Sequence, residues 1–241
     1  MASAPRALVL CPMRSELRPV LRLISARPST LGASPVHTGT SGSTDVTAAM
    51  IGVGPAAARE ATQRLLDSGS FDHVVVSGIA GGIGPDLEVG DLVTPAELED
   101  LATGKRFTPT VLGPHQAAGT IATTHELILD DDRLRELVDR GIVGLDMESS
   151  AVAEVCEARG LPCSIFRVVS DRPQDGLLEP GVMDMLQADG TINAPKALKF
   201  LVTHPHRMGP LIRLGRDAGA ATRRAARHAV AACATLAGSA P

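Results

Sequence analysis

The 241-residue sequence contains no tryptophan, no tyrosine and only four phenylalanines. Proteins that bind single-stranded nucleic acid stack its bases on aromatic rings, so this composition argues against such a partner. The formal net charge of −4 also argues against a protein that binds the phosphate backbone in bulk. We therefore expect no nucleic-acid partner.

Cysteines are few and scattered. Cys11, Cys156, Cys163 and Cys233 form no C-x-x-C pair, so the sequence indicates neither a disulfide framework nor a metal-binding knuckle. It has no run of about 18 strongly apolar residues that would span a membrane. Residues 1–6 also lack the pattern of a signal peptide. We expect a cytoplasmic protein that holds no metal and no cofactor.

Short runs of valine and isoleucine alternate with helical segments along the chain. This alternation predicts a single-domain α/β fold with a mixed, mostly parallel central sheet and helices on both of its faces. The clearest predicted strands are residues 6–11, 73–77 and 163–169. We expect residues 25–43 to be a loop with at most weak hairpin strands, residues 78–84 to be a glycine-rich turn, and residues 146–159 to be a helix.

The charge is divided unevenly between the two ends of the chain. From Lys196 onward there are eight lysines and arginines and one acid, Asp217, so this tail carries +7 and the remainder −11. We divide the chain into a catalytic domain, residues 1–195, and a basic helical extension, residues 196–241. The extension's arginines could rest on an anionic membrane at the inner membrane surface, cover the acidic body or form an oligomer contact.

Several polar residues follow predicted strands, where ligands of α/β proteins collect. Met13 and Glu16 follow the first strand, the glycine-rich segment from Ser77 follows the central one, and Ser170 and Asp171 follow the last. Glu148 stands at a predicted helix start. Acids and serines at such places can also be plain helix caps, and Gly52-Val53-Gly54 lacks the third glycine of a dinucleotide fingerprint.

Taken together, these motifs resemble a known superfamily. Met13-x-x-Glu16, Ser77-Gly78-Ile79-Ala80-Gly81-Gly82, Asp146-Met147-Glu148-Ser149 and Arg167-x-x-Ser170-Asp171 occur in the order and at the spacings typical of the purine nucleoside phosphorylases and nucleosidases. The resemblance covers roughly residues 6–175, and the last two motifs are its most specific part. It implies the nucleoside phosphorylase fold and cleavage of a ribosyl–purine bond.

The resemblance also implies roles for individual residues. Asp171 would protonate the purine, Glu148 would accept hydrogen bonds from the ribose hydroxyls, and Glu16 would activate the nucleophile. The implied substrate-binding residues are Met13, Ser77, Gly78, Ala80, Gly81, Met147 and Ser170. If phosphate is a co-substrate, Arg14 is a candidate to bind it, since guanidinium groups grip phosphate well. Arg167 is expected to be a structural partner for a buried carboxylate.

Two branches of the superfamily are similar to this sequence. The segment Thr124-His125-Glu126-Leu127-Ile128 lacks the aromatic ring that the methylthioadenosine/S-adenosylhomocysteine nucleosidases place against the purine. This segment and the arginine-rich tail resemble the hopanoid-associated phosphorylases, which implies adenosylhopane as the substrate and hopanoid biosynthesis as its setting. Hydrolysis of methylthioadenosine or S-adenosylhomocysteine is the alternative, and a non-catalytic nucleoside-binding protein is a third. The resemblance also implies a homo-oligomer.

Overall fold

The fold is described by a computed structural model that covers residues 3–173 and 208–238. The strands are β1 (Arg6–Cys11), β2 (Arg27–Leu31), β3 (Ser34–Ser41), β4 (Thr44–Met50), β5 (His73–Gly82), β6 (Leu92–Val93), β7 (Glu97–Asp100), β8 (Arg106–Phe107), β9 (Thr120–Thr123), β10 (Ile142–Asp146) and β11 (Cys163–Asp171). The helices are α1 (Arg14–Leu23), α2 (Pro55–Ser68), α3 (Asp131–Asp139), α4 (Ser149–Glu157) and α5 (Met208–Cys233), followed by a 3₁₀ helix (Ala234–Gly238).

All eleven strands form one mixed sheet, as expected. Its path is β2-β3-β4-β1-β5-β10-β9-β7-β8, and β11 pairs with β5 and β6 off this path. The pairs β4–β1, β1–β5 and β5–β11 at its centre are parallel, whereas β10 joins β5 antiparallel. Strand β5 is therefore the element around which the centre of the sheet is organised.

Helices cover both faces of this sheet, which confirms the predicted α/β class. Leu8 and Leu10 of β1 pack in one cluster with α2 and α4, whereas Ala7 and Val9 pack in another with α1 and α5. Alternate residues of one strand point to opposite faces, so the two helix pairs lie on opposite sides.

The expected turn at residues 78–84 is wrong, because β5 continues to Gly82. Gly81 and Gly82 pair with Leu145 and Gly144 of β10. A Cβ atom on Gly82 would lie 2.7 Å from a methyl carbon of Val169. These glycines therefore let the strand run closely between its neighbours instead of turning the chain.

Two other boundaries also differ from the expectations. Asp146 ends strand β10 rather than starting a helix, and α4 begins only at Ser149, with Glu148 as its N-cap residue. The segment expected to be mostly loop forms β2 and β3, an antiparallel hairpin on the edge of the sheet whose outer strand is almost wholly exposed. Such an edge strand buries no regular apolar face that a sequence pattern would reveal.

Helix α5 packs on the body of the protein through its C-terminal half. Its buried apolar residues pack against β11, β5 and α1, and they are Ala221, Ala225, Ala226, Ala229, Val230, Ala232 and Cys233. The expected helix at residues 196–202 and the expected domain boundary at residue 195 lie outside the described residues. Within the described part of the chain, no helix is both long enough and apolar enough to cross a membrane.

A buried histidine links the first residues of two central strands. His73 of β5 is buried, and its Nε2 lies 2.7 Å from Ser164 Oγ of β11. Ser164 Oγ donates its own proton to the Thr110 carbonyl at 2.6 Å, so the imidazole must be the donor to Ser164. Burial lowers the pKa of His73 from 6.5 to about 4.

We expect His73 to make the free energy of unfolding depend on pH. The unfolded chain takes up this proton near pH 6.5 and the folded chain only near pH 4, so stability falls as the pH drops between these values. As the pH falls from about 8 to about 5, protonation of His73 in the unfolded chain lowers the free energy of unfolding by about 2 kcal/mol. Chemical denaturation should therefore show that the free energies of unfolding of the wild type and of His73→Gln differ by about 2 kcal/mol less at pH 5 than at pH 8.

The exposed His125 offers a matched control. His125→Gln should differ from the wild type by the same amount at both pH values, because the His125 side chain is exposed and stays in contact with water when the protein folds. If the wild type and His73→Gln differed in free energy of unfolding by the same amount at both pH values, the lowered pKa of His73 would be contradicted.

Candidate active site

Glu16 is held by backbone donors at the start of α1. It is 1% exposed, and its Oε2 accepts a hydrogen bond from the backbone amide of Met13 at 2.8 Å. Its Oε1 accepts one from the amide of Ile79 at 2.9 Å. The carboxylate is thereby fixed between the end of β1 and the middle of β5.

Arg167 of β11 is the cation of the site. It is 1% exposed, and its Nη2 lies 2.8 Å from Asp146 Oδ2 and 3.1 Å from Glu148 Oε2. Its Nη1 donates to the carbonyl of Ile79 at 3.2 Å, and its Nε donates to Ser149 Oγ at 3.2 Å. The expectation that Arg167 partners a buried carboxylate is met, and here it pairs with two.

Glu148 is fixed by Arg167 on one side and by a helix N-terminus on the other. It is 4% exposed, and its Oε1 accepts a hydrogen bond at 2.9 Å from the amide of Gly54, the N-cap residue of α2. The partial positive charge at the start of α2 favours the carboxylate there. Gly54 has φ +94°, a backbone conformation that glycine adopts at little cost.

Burial and mutual repulsion raise the pKa values of the two glutamates. Burial raises the pKa of Glu16 to about 7, with Arg167 opposing this shift and Glu148 adding to it. Burial also raises the pKa of Glu148, opposed by Arg167 and reinforced by Asp146. Burial alone would lower the pKa of Arg167, but Asp146, Glu148 and Glu16 together raise it, so Arg167 stays charged.

Asp146 and Thr123 position the segment that carries Glu148. Asp146 Oδ1 accepts a hydrogen bond from Thr123 Oγ1 at 2.7 Å and faces the amides of Glu148 and Ser149 at 3.3 Å. Thr123 Oγ1 in turn accepts one from the amide of Ser150 at 3.0 Å. These contacts join β9, β10 and the start of α4 around one carboxylate.

Asp171 and Ser170 stand apart from this cluster, at the end of β11. Ser170 Oγ contacts Asp171 Oδ1 and lies 3.4 Å from the carbonyl of Ala80. Asp171 is partly exposed and pairs in register with Gly81, whereas Arg167 pairs with Gly78. Asp171 is four positions further along β11 than Arg167, which corresponds to about 13 Å of strand.

The remaining predicted residues differ in how close they lie to these carboxylates. Ser77 is buried beside the cluster, and its Oγ has no hydrogen-bond partner among the described residues. Met13 and Met147 are partly exposed next to Glu16 and Glu148 in the chain. Arg14 is exposed, and within the described residues its side chain forms no ion pair.

A cavity of about 500 Å³ opens at the end of β9, one strand away from Asp146. It is lined by Leu101, Ala102, Arg133 and residues 124–130, a set without phenylalanine, tyrosine or tryptophan. None of Glu16, Glu148 and Asp171 lines it, so the cavity adjoins the carboxylate cluster through Thr123 and Thr124 rather than containing it.

Sequence reasoning missed three parts of this site as site residues: Asp146, Thr123 and the amide of Gly54. They become recognisable only when the sheet brings β9, β10 and the start of α2 together. Arg167 carried a stronger indication, because a lone arginine in an otherwise apolar strand has to find buried carboxylates. In the described part of the chain, no group of three or more His, Cys, Asp or Glu side chains is arranged to hold a metal ion.

Comparison with known proteins adds a family and a fold. The family described as "Phosphorylase superfamily" matches residues 6–111 and 109–204. The 5′-methylthioadenosine/S-adenosylhomocysteine nucleosidase of Haemophilus influenzae (strain PittGG) is 26% identical, in an alignment that covers 66% of this chain and 82% of that protein. The aminodeoxyfutalosine nucleosidase of Helicobacter pylori (strain J99) is 23% identical, in an alignment that covers 69% of this chain and 86% of that protein.

Solved structures give the same fold. The 5′-methylthioadenosine/S-adenosylhomocysteine nucleosidase of Neisseria meningitidis, solved with methylthio-immucillin-A, has a TM-score of 0.70 to this chain. It is 17% identical, and the alignment covers 97% of this chain and 99% of that one. This likeness confirms the fold that the sequence motifs implied.

Gly78 offers a test of how closely the cluster is packed. A Cβ atom there would lie 2.4 Å from Arg167 Nη1 and 2.6 Å from Glu16 Oε1. We expect Gly78→Ala to lower the free energy of unfolding by about 1–3 kcal/mol in chemical denaturation, because both charged groups must move.

Gly144 of the neighbouring strand β10 is a matched control, since a Cβ atom there would meet its nearest neighbour at an ordinary 3.5 Å. Gly144→Ala should change stability by less than about 1 kcal/mol. Equal effects of the two substitutions would show that Glu16 and Arg167 do not need the space that Gly78 leaves.

Proposed function

Since the chain belongs to the Phosphorylase superfamily, we propose that it cleaves the N-glycosidic bond of a purine nucleoside, with 5′-substituted adenosines as the substrate class. The observation that supports this most strongly is the buried set of Glu16, Asp146 and Glu148 around one arginine. A protein that only bound a nucleoside would have no need for two buried glutamates with raised pKa values. The named relatives are nucleosidases, which favours the same activity.

The geometry suits the charge that develops when this bond breaks. Cleavage of a glycosidic bond passes through a sugar with oxocarbenium character, which a nearby carboxylate stabilises. Glu148 is held by Gly54 and Arg167 through one hydrogen bond to each of its oxygens. Each carboxylate oxygen has a second lone pair, so Glu148 can still accept hydrogen bonds from ribose hydroxyls.

The placement of the acids along β11 suits the two parts of a nucleoside. If the ribose lies at Glu148, which contacts Arg167 of β11, the purine extends toward Asp171 at the end of the same strand. In this arrangement Asp171 donates a proton to the purine as the bond breaks, and Ser170 holds the carboxyl group through the contact between Ser170 Oγ and Asp171 Oδ1. Met13 and Met147 flank the sugar, and Ser77, Ala80 and Gly81 line the floor beneath it.

Water is the nucleophile that this charge distribution favours. Arg167 is the cation that lowers the pKa values of both Glu16 and Glu148, and it is already paired with Asp146 and Glu148. A phosphate dianion beside Glu16 would meet more negative than positive charge. Glu16, by contrast, has a pKa of about 7 and can accept a proton from water at neutral pH.

The 5′ substituent is the finer part of the proposal. Adenosylhopane is our leading candidate, supported by the lack of phenylalanine, tyrosine and tryptophan in the segment from Thr124 to Ile128. Methylthioadenosine and S-adenosylhomocysteine are the alternative, favoured by the named relatives. Both readings require adenine as the released base.

Adenine release, measured by chromatography with and without added phosphate, tests the reaction. The substrates are adenosine, methylthioadenosine, S-adenosylhomocysteine and detergent-dispersed adenosylhopane. We expect release from at least one 5′-substituted adenosine at a rate that phosphate does not change. Release that requires phosphate would overturn the choice of water, and binding by calorimetry without release from any substrate would overturn the enzymatic function.

The three carboxyl groups should each be needed for turnover. Asp171→Asn, Glu148→Gln and Glu16→Gln should each lower kcat by about 10²-fold or more, because proton transfer and transition-state contacts are lost. The exposed Glu60 gives a matched control, and Glu60→Gln should leave kcat unchanged. A variant with wild-type kcat and an intact fold would remove that residue from the mechanism.

The pKa of Glu16 predicts the pH dependence of the reaction. A general base acts in its deprotonated form, so kcat/KM should fall as the pH drops below about 7, approaching tenfold per pH unit. In Glu16→Gln this decrease should disappear from the residual activity. A rate that stays level down to pH 5 in the wild type would exclude Glu16 as the base.

A further inference from the structure

Helices α1 and α5 lie side by side on one face of the sheet. Leu17, Val20 and Ile24 of α1 pack in one cluster with Ala226 and Ala229 of α5. The apolar sides of both helices are thus covered by the body of the protein and by each other. Their opposite sides face solvent.

The solvent side of this helix pair carries eight exposed arginines, which we call the basic face. Its members are Arg14, Arg18 and Arg22 of α1 and Arg213, Arg216, Arg223, Arg224 and Arg227 of α5. On α1 they recur every four residues, so they form one row on the helix. The acids of the two helices are Glu16, which is buried, and Asp217.

These arginines lack the acidic partners that most other arginines of the protein have. Arg59, Arg64, Arg106, Arg133, Arg135, Arg140 and Arg159 each form an ion pair with an aspartate or glutamate. On the basic face, the ion pair found among the described residues is the loose contact of Arg216 with Asp217 at 3.5 Å. Among the described residues of this protein of net charge −4, arginines without a close acidic partner are thus concentrated on this helix pair.

An exposed apolar residue accompanies the arginines at one end of this surface. Ile212 is 66% exposed next to Arg213. Residues 212–220 of α5 are exposed or half-exposed throughout, whereas buried residues recur from Ala221 onward. The N-terminal part of α5 can therefore contact another surface without leaving the body of the protein.

We propose that the basic face binds the surface of an anionic membrane. Each arginine near such a surface is attracted to the anionic headgroups, and an exposed isoleucine can enter the interface. A pair of helices that presents arginines without phenylalanine, tyrosine or tryptophan suits an anionic lipid surface better than a single-stranded nucleic acid, whose bases stack on such rings. Arg14 then contacts lipid phosphate rather than free phosphate. This proposal does not depend on the proposed reaction.

The binding should be electrostatic. The apolar side of α5 is packed against the sheet, so it cannot enter the bilayer while the protein stays folded. Attraction between the arginines and headgroups is screened by salt, with a Debye length of about 10 Å at 0.1 M. The full-length protein should therefore sediment with vesicles of phosphatidylglycerol and phosphatidylcholine at low salt and be released at high salt. It should not sediment with vesicles of phosphatidylcholine alone.

A matched pair of triple variants tests which arginines are responsible. Arg18→Gln, Arg22→Gln and Arg227→Gln together should lower the partition coefficient on anionic vesicles by about 100-fold. Arg64→Gln, Arg135→Gln and Arg159→Gln change the net charge equally but lie outside the basic face. They should lower the partition coefficient by less than about threefold.

Each outcome decides the proposal. Equal loss in the two triple variants would show that net charge, and not this face, controls binding. Failure of the wild type to bind anionic vesicles at low salt would overturn the proposal, and so would binding of a DNA duplex in place of vesicles. Thermal unfolding of both triple variants shows that they fold, and adenine release by both should match that of the wild type.

Discussion

The contact between Arg167 and the buried carboxylates is the interaction on which the centre of the structure depends. One guanidinium, 1% exposed, lies between Asp146 and Glu148 and faces Glu16 across Gly78. Removing such a cation would leave uncompensated buried charges, which typically costs about 3–5 kcal/mol. The charges of this cluster therefore offset one another only when β10 and β11 both pair with β5. The arginine also needs a residue without a side chain at position 78, because a Cβ atom there would lie too close to it.

A single cation among three acids also sets the chemistry that this site can perform. Burial raises the pKa of Glu16 to about 7 and also raises that of Glu148, and the one cation, Arg167, opposes both shifts without cancelling them. This excess of acids over cations disfavours an anionic nucleophile. Asp171 lies outside the cluster, so in the proposed reaction it gives its proton to the substrate without disturbing the charges around Arg167. The proposed general acid on β11 is thus separated from the proposed general base, Glu16 on α1.

Local sequence patterns predicted the central strands, but not the contacts between distant segments. The strand at residues 6–11 and the one beginning at Cys163 match β1 and β11, because runs of buried apolar residues are a local pattern. The glycine segment after Ser77 was misjudged, since its role is to fit between β10 and Val169, which are distant in sequence. The hydrogen bond from the Gly54 amide to Glu148 could not be predicted for the same reason, because these two residues are far apart in the sequence.

Helix α5 shows how one sequence pattern serves two surfaces. Its alanines let the helix lie close to β11 and α1, whereas leucines at the same positions would hold it away. The small alanine side chains face the sheet and α1, and the long arginine side chains face solvent. Helix α1 begins directly after β1, so Arg14 lies at the same edge of the sheet as Glu16. A membrane bound by the basic face would therefore lie beside the carboxylate cluster, which is where an enzyme acting on a lipid-linked nucleoside would need it.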